Sequence, residues 1–104
     1  MAKSYRKLIR DKIPEIIERS GKICRTEILA DADYLKLLDE KLTEELSEYQ
    51  ESKSLEELAD LLEVMEAVVT ARGYSWEQLQ TVKAEKKAAR GGFAEKLLLL
   101  EVSE

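Results

Sequence analysis

The chain has 104 residues, 44% of them hydrophobic and 38% charged, with a net charge of −5, one cysteine and no histidine. That length suits one domain with a modest core, of the kind that self-association often completes. The missing histidine removes His-based triads, the usual zinc sites and the commonest general base; the lone Cys24 excludes an internal disulfide and, without a histidine partner, reads as a small buried apolar residue.

The charge is unevenly spread. Residues 1–25 carry eight Lys/Arg and three Asp/Glu, residues 26–82 carry four and fifteen, and residues 83–104 carry five and four. An acidic middle between basic ends is either ordinary surface charge or a place where a small anion is held through a bridging cation. A nucleic-acid binder is more often basic overall, so no nucleic-acid partner is expected. The longest apolar run, residues 97–100, is four residues, against the roughly 20 that a membrane span needs, so no membrane partner is expected either. The opening MAKSYRKLIRDK is basic but lacks the apolar stretch of a signal peptide, which makes the cytoplasm the expected compartment.

In chain order, Asp11 is placed to cap a short helix over residues 12–20, with Pro14 in its first turn and Gly21 after its end. Residues 23–29, ICRTEIL, contain β-branched residues and roughly alternate, and predict a strand. Asp31 or Asp33 starts a long helix to about residue 51. Ser54 with Glu57 makes a capping box for the next helix, which Gly73 ends. Ser75 with Gln78 makes another, opening a helix to about Arg90 that Gly91 and Gly92 break. Residues 93–102 read as a last strand able to pair with 23–29. The expected fold is mainly α: one domain over residues 1–104, with three long helices and a small β element from the chain ends.

At ~100° per residue, Leu35, Leu38, Leu42, Leu46 and Tyr49 form a stripe centred near ~240°. Glu45 borders it at ~180° and Glu48 lies beside it at ~120°, while Glu40, Glu44 and Glu51 fall on the wet side. In the next helix Leu58, Leu61, Leu62, Met65, Val68 and Val69 centre near ~30°. There Glu57, at ~300°, falls inside the apolar arc and Asp60 lies at ~240°. An ionised carboxylate among apolar side chains needs a partner. The short connection makes the two helices antiparallel neighbours, so Glu45, Glu48, Glu57 and Asp60 are placed to converge on one groove. Four oxygen-donor side chains suit a hard cation, Mg²⁺ or Mn²⁺. The alternative is a solvated acidic surface, since the chain has seven acidic pairs at i, i+3. Glu57 also has a structural role open to it, as the third residue of the Ser54 box. Trp76 and Leu79 share a face with Lys83, Lys86 and Arg90, which either answer the helix dipole or clamp a phosphate.

EELSE (residues 44–48) followed by EELAD (residues 56–60) resembles the two-part acidic motif of the MazG-like all-α nucleoside triphosphate pyrophosphohydrolases, which include phosphoribosyl-ATP pyrophosphatase and the dimeric dUTPases. YRKLIRDKIPEII and KKAARGGF look like the opening and closing segments of the small, single-domain house-cleaning members, so the resemblance spans residues 5–93. It implies a helical bundle of that type, Mg²⁺ dependence, and cleavage of a nucleoside triphosphate between the α- and β-phosphates to give a monophosphate and pyrophosphate. It implies Glu45, Glu48, Glu57 and Asp60 as metal ligands; a carboxylate not fully engaged with metal, Glu48 or Glu45, is the candidate general base. It implies phosphate contacts from Lys83, Lys86 or Lys87, and Arg90, and assembly as a homodimer or homotetramer. Two other readings stand beside it: a phosphoribosyl-ATP pyrophosphatase, and a non-catalytic helical module of the antitoxin-like or regulatory kind.

Overall fold

The structure, a computed structural model, describes residues 2–3 and 5–104. Four helices make up its regular structure: α1 (Ile13–Arg19), α2 (Asp31–Ser52), α3 (Leu55–Ala71) and α4 (Trp76–Arg90). The fold is mainly α, and each boundary has a local cause.

Pro14 sits in the first turn of α1, where its missing N–H costs nothing. The residue that caps α1 is Lys12, with no side-chain hydrogen bond, so the expected Asp11 cap is not made. The helix ends at Gly21, whose φ of 88° favours glycine. Asp31 and Asp33 lie in the first turn of α2, where they oppose the positive end of the dipole. Between α2 and α3 only Lys53 and Ser54 intervene. Lys53 adopts the left-handed conformation (φ 59°), and its N–H donates to the Tyr49 carbonyl at 2.7 Å. Ser54 then caps α3, accepting from the Glu57 N–H at 3.3 Å. The Ser75 box is reciprocal: the Gln78 N–H donates to Ser75 Oγ (3.1 Å) and the Ser75 N–H to Gln78 Oε1 (2.7 Å).

α2 and α3 form the main packed pair, with α4 lying lightly against α3. At the end of this hairpin away from Lys53, Arg72 Nη2 pairs with Asp39 Oδ2 at 2.8 Å across the two helices, both side chains well exposed. Only Leu38 and Val64 are buried apolar residues among those described. The molecule extends 65 × 31 × 23 Å with a radius of gyration of 18.7 Å, where a compact chain of this length has about 13 Å.

The expected β element is not formed; no strand occurs among the described residues. Ile23, Ile28 and Phe93 are about fully exposed, and Leu97, Leu98, Leu99 and Leu100 nearly so. A lone pair of strands is marginal in water without an apolar surface to cover one face, and within this chain neither segment is offered one.

Candidate metal centre

The α2–α3 seam is not centred on the apolar stripes. The buried residues of α2 are Leu38 and Glu45, at ~200° and ~180°, which turns the seam some ~50° from the stripe centre toward the acidic side. The buried residue of α3 is Val64, at ~280°, between Glu57 at ~300° and Asp60 at ~240°. The hairpin therefore closes on the flanks that carry carboxylates. Part of the apolar stripe is left over: Leu46, Leu58, Leu62 and Met65 remain 39–47% exposed.

Two overlapping sets of carboxylates result. Glu45, Glu57 and Asp60 bring one oxygen each to within 4.8 Å of one another across the seam. Glu44, Glu45 and Glu48 do the same along α2. Glu45 belongs to both. The four carboxylates singled out from the sequence thus meet around one residue, with Glu48 on the outer side. Glu44, expected on the wet face, joins them, and its i, i+4 spacing from Glu48 makes the two surface neighbours.

Glu45 is 7% exposed, and its Oε2 has no hydrogen-bond partner among the described residues. Glu57 Oε2 is in the same state. The Ser54 cap does not use it: the Ser54 N–H donates to Ser52 Oγ at 3.3 Å, so the Glu57 side chain does not reach back and faces the seam instead. The capping role that competed with the ligand role for Glu57 is filled by its backbone N–H alone. A buried carboxylate oxygen without a donor is costly, and it marks the direction from which a cation would be received.

Burial raises the Glu45 pKa above the ordinary carboxylate value. The hydrogen bond its protonated form makes with Glu48, and the charge of Glu48, push it further up; Lys41 pulls it down and Asp60 adds to the rise. Lys41 Nζ stands 3.5 Å from Glu45 Oε1 and 3.5 Å from Glu44 Oε1, on a side chain only 18% exposed. Two further cations come from the N-terminal segment. Arg10 Nη2 is 2.6 Å from Asp60 Oδ1, and Lys7 Nζ is 3.9 Å from Glu44 Oε1. Nothing in helix periodicity points to these pairs, because the N-terminal segment reaches the site through an irregular path.

The donor set fits a hard divalent cation: oxygens only, an orphaned buried oxygen on each side of the seam, and room for further ligands at Glu48 and Glu44. The basic residues of α4 are arranged differently. Lys83, Lys86, Lys87 and Arg90 are exposed, and no ion pair or hydrogen bond among the described residues joins them to the acidic cluster.

Comparison of the chain with protein-family models, with curated proteins and with solved structures finds no match in any of the three.

Proposed function

We propose that the chain is a Mg²⁺-dependent nucleoside triphosphate pyrophosphohydrolase of the MazG-like all-α type, giving a nucleoside monophosphate and pyrophosphate. The observation that carries this reading is the unpartnered Glu45 Oε2, at the meeting point of carboxylates from both segments of the EELSE…EELAD motif. A solvated acidic surface has no reason to bury that oxygen.

Glu45, Glu57 and Asp60 hold the ion, with Glu48 at the outer edge. A bound Mg²⁺ supplies neutralisation of phosphate charge and a water of lowered pKa. Glu48, the more exposed carboxylate of the α2 set, takes the proton as a water oxygen attacks the α-phosphorus. The bridging P–O bond to the β-phosphate breaks and its electron pair leaves with pyrophosphate. Lys83, Lys86, Lys87 and Arg90 offset that charge, once substrate or a second copy brings α4 toward the seam.

Assembly as a homodimer or homotetramer belongs to the same proposal. The described surface measures 9885 Å². A compact monomer of this length exposes about 5,900 Å², and a standard interface takes about 800 Å² from each partner. The excess is large enough for an obligate interface, and the left-over stripe of Leu58, Leu62 and Met65 is its apolar centre.

The test is a screen of nucleoside triphosphates with Mg²⁺, reading monophosphate and pyrophosphate separately, with phosphoribosyl-ATP included in the panel. Turnover in EDTA equal to that in Mg²⁺ would remove the hypothesis. The same exposed stripe also supports the non-catalytic module. That reading expects no divalent-ion binding and no phosphate release from any substrate of the panel.

A further inference from the structure

The N-terminal segment is unaccounted for by the reaction as described, yet it reaches the site. Arg10 lies 50 positions from Asp60 in sequence and 2.6 Å from it in space. Its backbone is fixed: the Arg10 carbonyl accepts from the Ile13 N–H at 3.1 Å, in the turn that opens α1. Seven residues of α1 then carry the chain away. On the other side of Arg10, Lys7 meets Glu44 of α2 at 3.9 Å, and Arg6, Lys7 and Leu8 line a small cavity with Leu37 and Lys41. The segment therefore lies across both helices of the hairpin, with one basic side chain on each.

We infer that Arg10 is a substrate-phosphate-binding residue, donating to the phosphate oxygens beside the cation at Glu45, Glu57 and Asp60. This rests on the metal-dependent reading above and extends it to the opposite end of the chain. Three features of the pair argue for it. Arg10 and Asp60 side chains are 56% and 43% exposed, and an ion pair in that much water is weak and readily exchanged. Asp60 is one of the three residues whose oxygens converge, so a cation there competes with the guanidinium for the same carboxylate. Released from Asp60, the guanidinium remains tethered beside the site by its own backbone position, with its donors free. A planar fork of N–H groups beside a divalent ion is the arrangement that takes a phosphate in two parallel hydrogen bonds. As a structural clamp the pair would contribute little, because both side chains are well exposed.

The experiment is calorimetric titration of the full chain as wild type, Arg10→Ala and Arg10→Lys, first with Mn²⁺ alone and then with inorganic pyrophosphate in saturating Mg²⁺. Circular dichroism checks that each variant is folded. The expected result is Mn²⁺ affinity in Arg10→Ala equal to or tighter than wild type, because a competing cation has gone. Pyrophosphate binding weakens by roughly tenfold or more, and Arg10→Lys, which keeps the charge and loses the fork, recovers only part of it. Unchanged pyrophosphate affinity in Arg10→Ala overturns the inference and leaves the metal-dependent reading standing. So does an equal loss of Mn²⁺ and pyrophosphate binding, which would make Arg10 a positioning residue for Asp60. A wild-type chain that binds no Mn²⁺ removes both.

Discussion

Glu45 of α2 and Glu57 of α3 bring carboxylate oxygens to within 4.8 Å across the hairpin seam, and each leaves its Oε2 without a hydrogen-bond partner among the described residues. Two like charges at that separation, one of them 7% exposed, raise the energy of the folded chain unless a proton or a cation intervenes.

Replacing Glu45 by Gln keeps the shape and removes the charge. Without metal the variant is expected to be more stable than wild type, by about 1 kcal/mol. In a domain of this size that corresponds to a Tm rise of about 4–8 °C. Lys41 keeps Glu44 as partner, so the gain is not cancelled. The Mg²⁺-induced rise in Tm expected of wild type should be lost. Thermal melts of both proteins with and without Mg²⁺ decide it, and a variant that is less stable yet still shifts with Mg²⁺ contradicts the assignment.

Alanine at Glu48 and, separately, at Asp60 should nearly abolish Mg²⁺-dependent pyrophosphate release with the helical content unchanged. For Glu48 the loss expected of a general base is on the order of 10²–10⁴ in kcat. Asp60→Ala should also weaken Mn²⁺ binding, which separates a ligand from a base. Circular dichroism with steady-state kinetics provides both readouts.

The raised pKa of Glu45 ties stability to pH. The folded chain holds that proton more tightly than the unfolded chain, so this group favours folding at acid pH. Its contribution is lost as pH rises from the ordinary glutamate pKa of about 4.3 through the raised folded value. A cation binds the ionised carboxylates, so binding expels the proton and Mg²⁺ affinity increases over the same interval. Melting curves over a pH series, with and without Mg²⁺, should diverge as pH rises; parallel curves would show that Glu45 is not the residue that receives the ion.

Light scattering should find a dimer or a larger assembly. Leu62→Glu, placing a charge at 47% exposure on the left-over stripe of α3, should shift the protein toward monomer and lower its melting temperature. A wild-type monomer with full activity would contradict the assembly.

Ser75→Ala removes an acceptor used by the Gln78 N–H at 3.1 Å. The expected cost is about 1 kcal/mol, read as reduced helicity in α4 and a lower denaturation midpoint.

Helix boundaries were legible because their causes are local. Pro14, Gly21, Ser54, Gly73 and the Ser75–Gln78 pair act within a few residues of where they stand, and each helix ends close to its signal. The two strands failed for the opposite reason: residues 23–29 and 93–102 have strand-like composition, but a strand exists only where a second one pairs with it. The acidic motif was visible as spacing, and so was the approximate side of each helix. Lys7 and Arg10 lie in the basic YRKLIRDKIPEII segment, which the sequence marks without assigning them a role or a partner, and Lys41 carries no signal beyond its i, i+4 spacing from Glu45. Arg10–Asp60 joins residues 50 positions apart, a pairing that depends on how an irregular segment crosses the hairpin.

The sequence by itself determined where the four helices lie and that Glu45, Glu48, Glu57 and Asp60 share the hairpin end, because capping, glycine punctuation and a 3.6-residue period are short-range effects. Which flank of each helix would close was decided only in three dimensions. An apolar arc wider than one neighbour can cover permits several rotations, and packing selected the one that buries Leu38, Glu45 and Val64. That rotation turned a row of surface acids into a convergent set with two orphaned oxygens, and it left the remaining leucines facing outward.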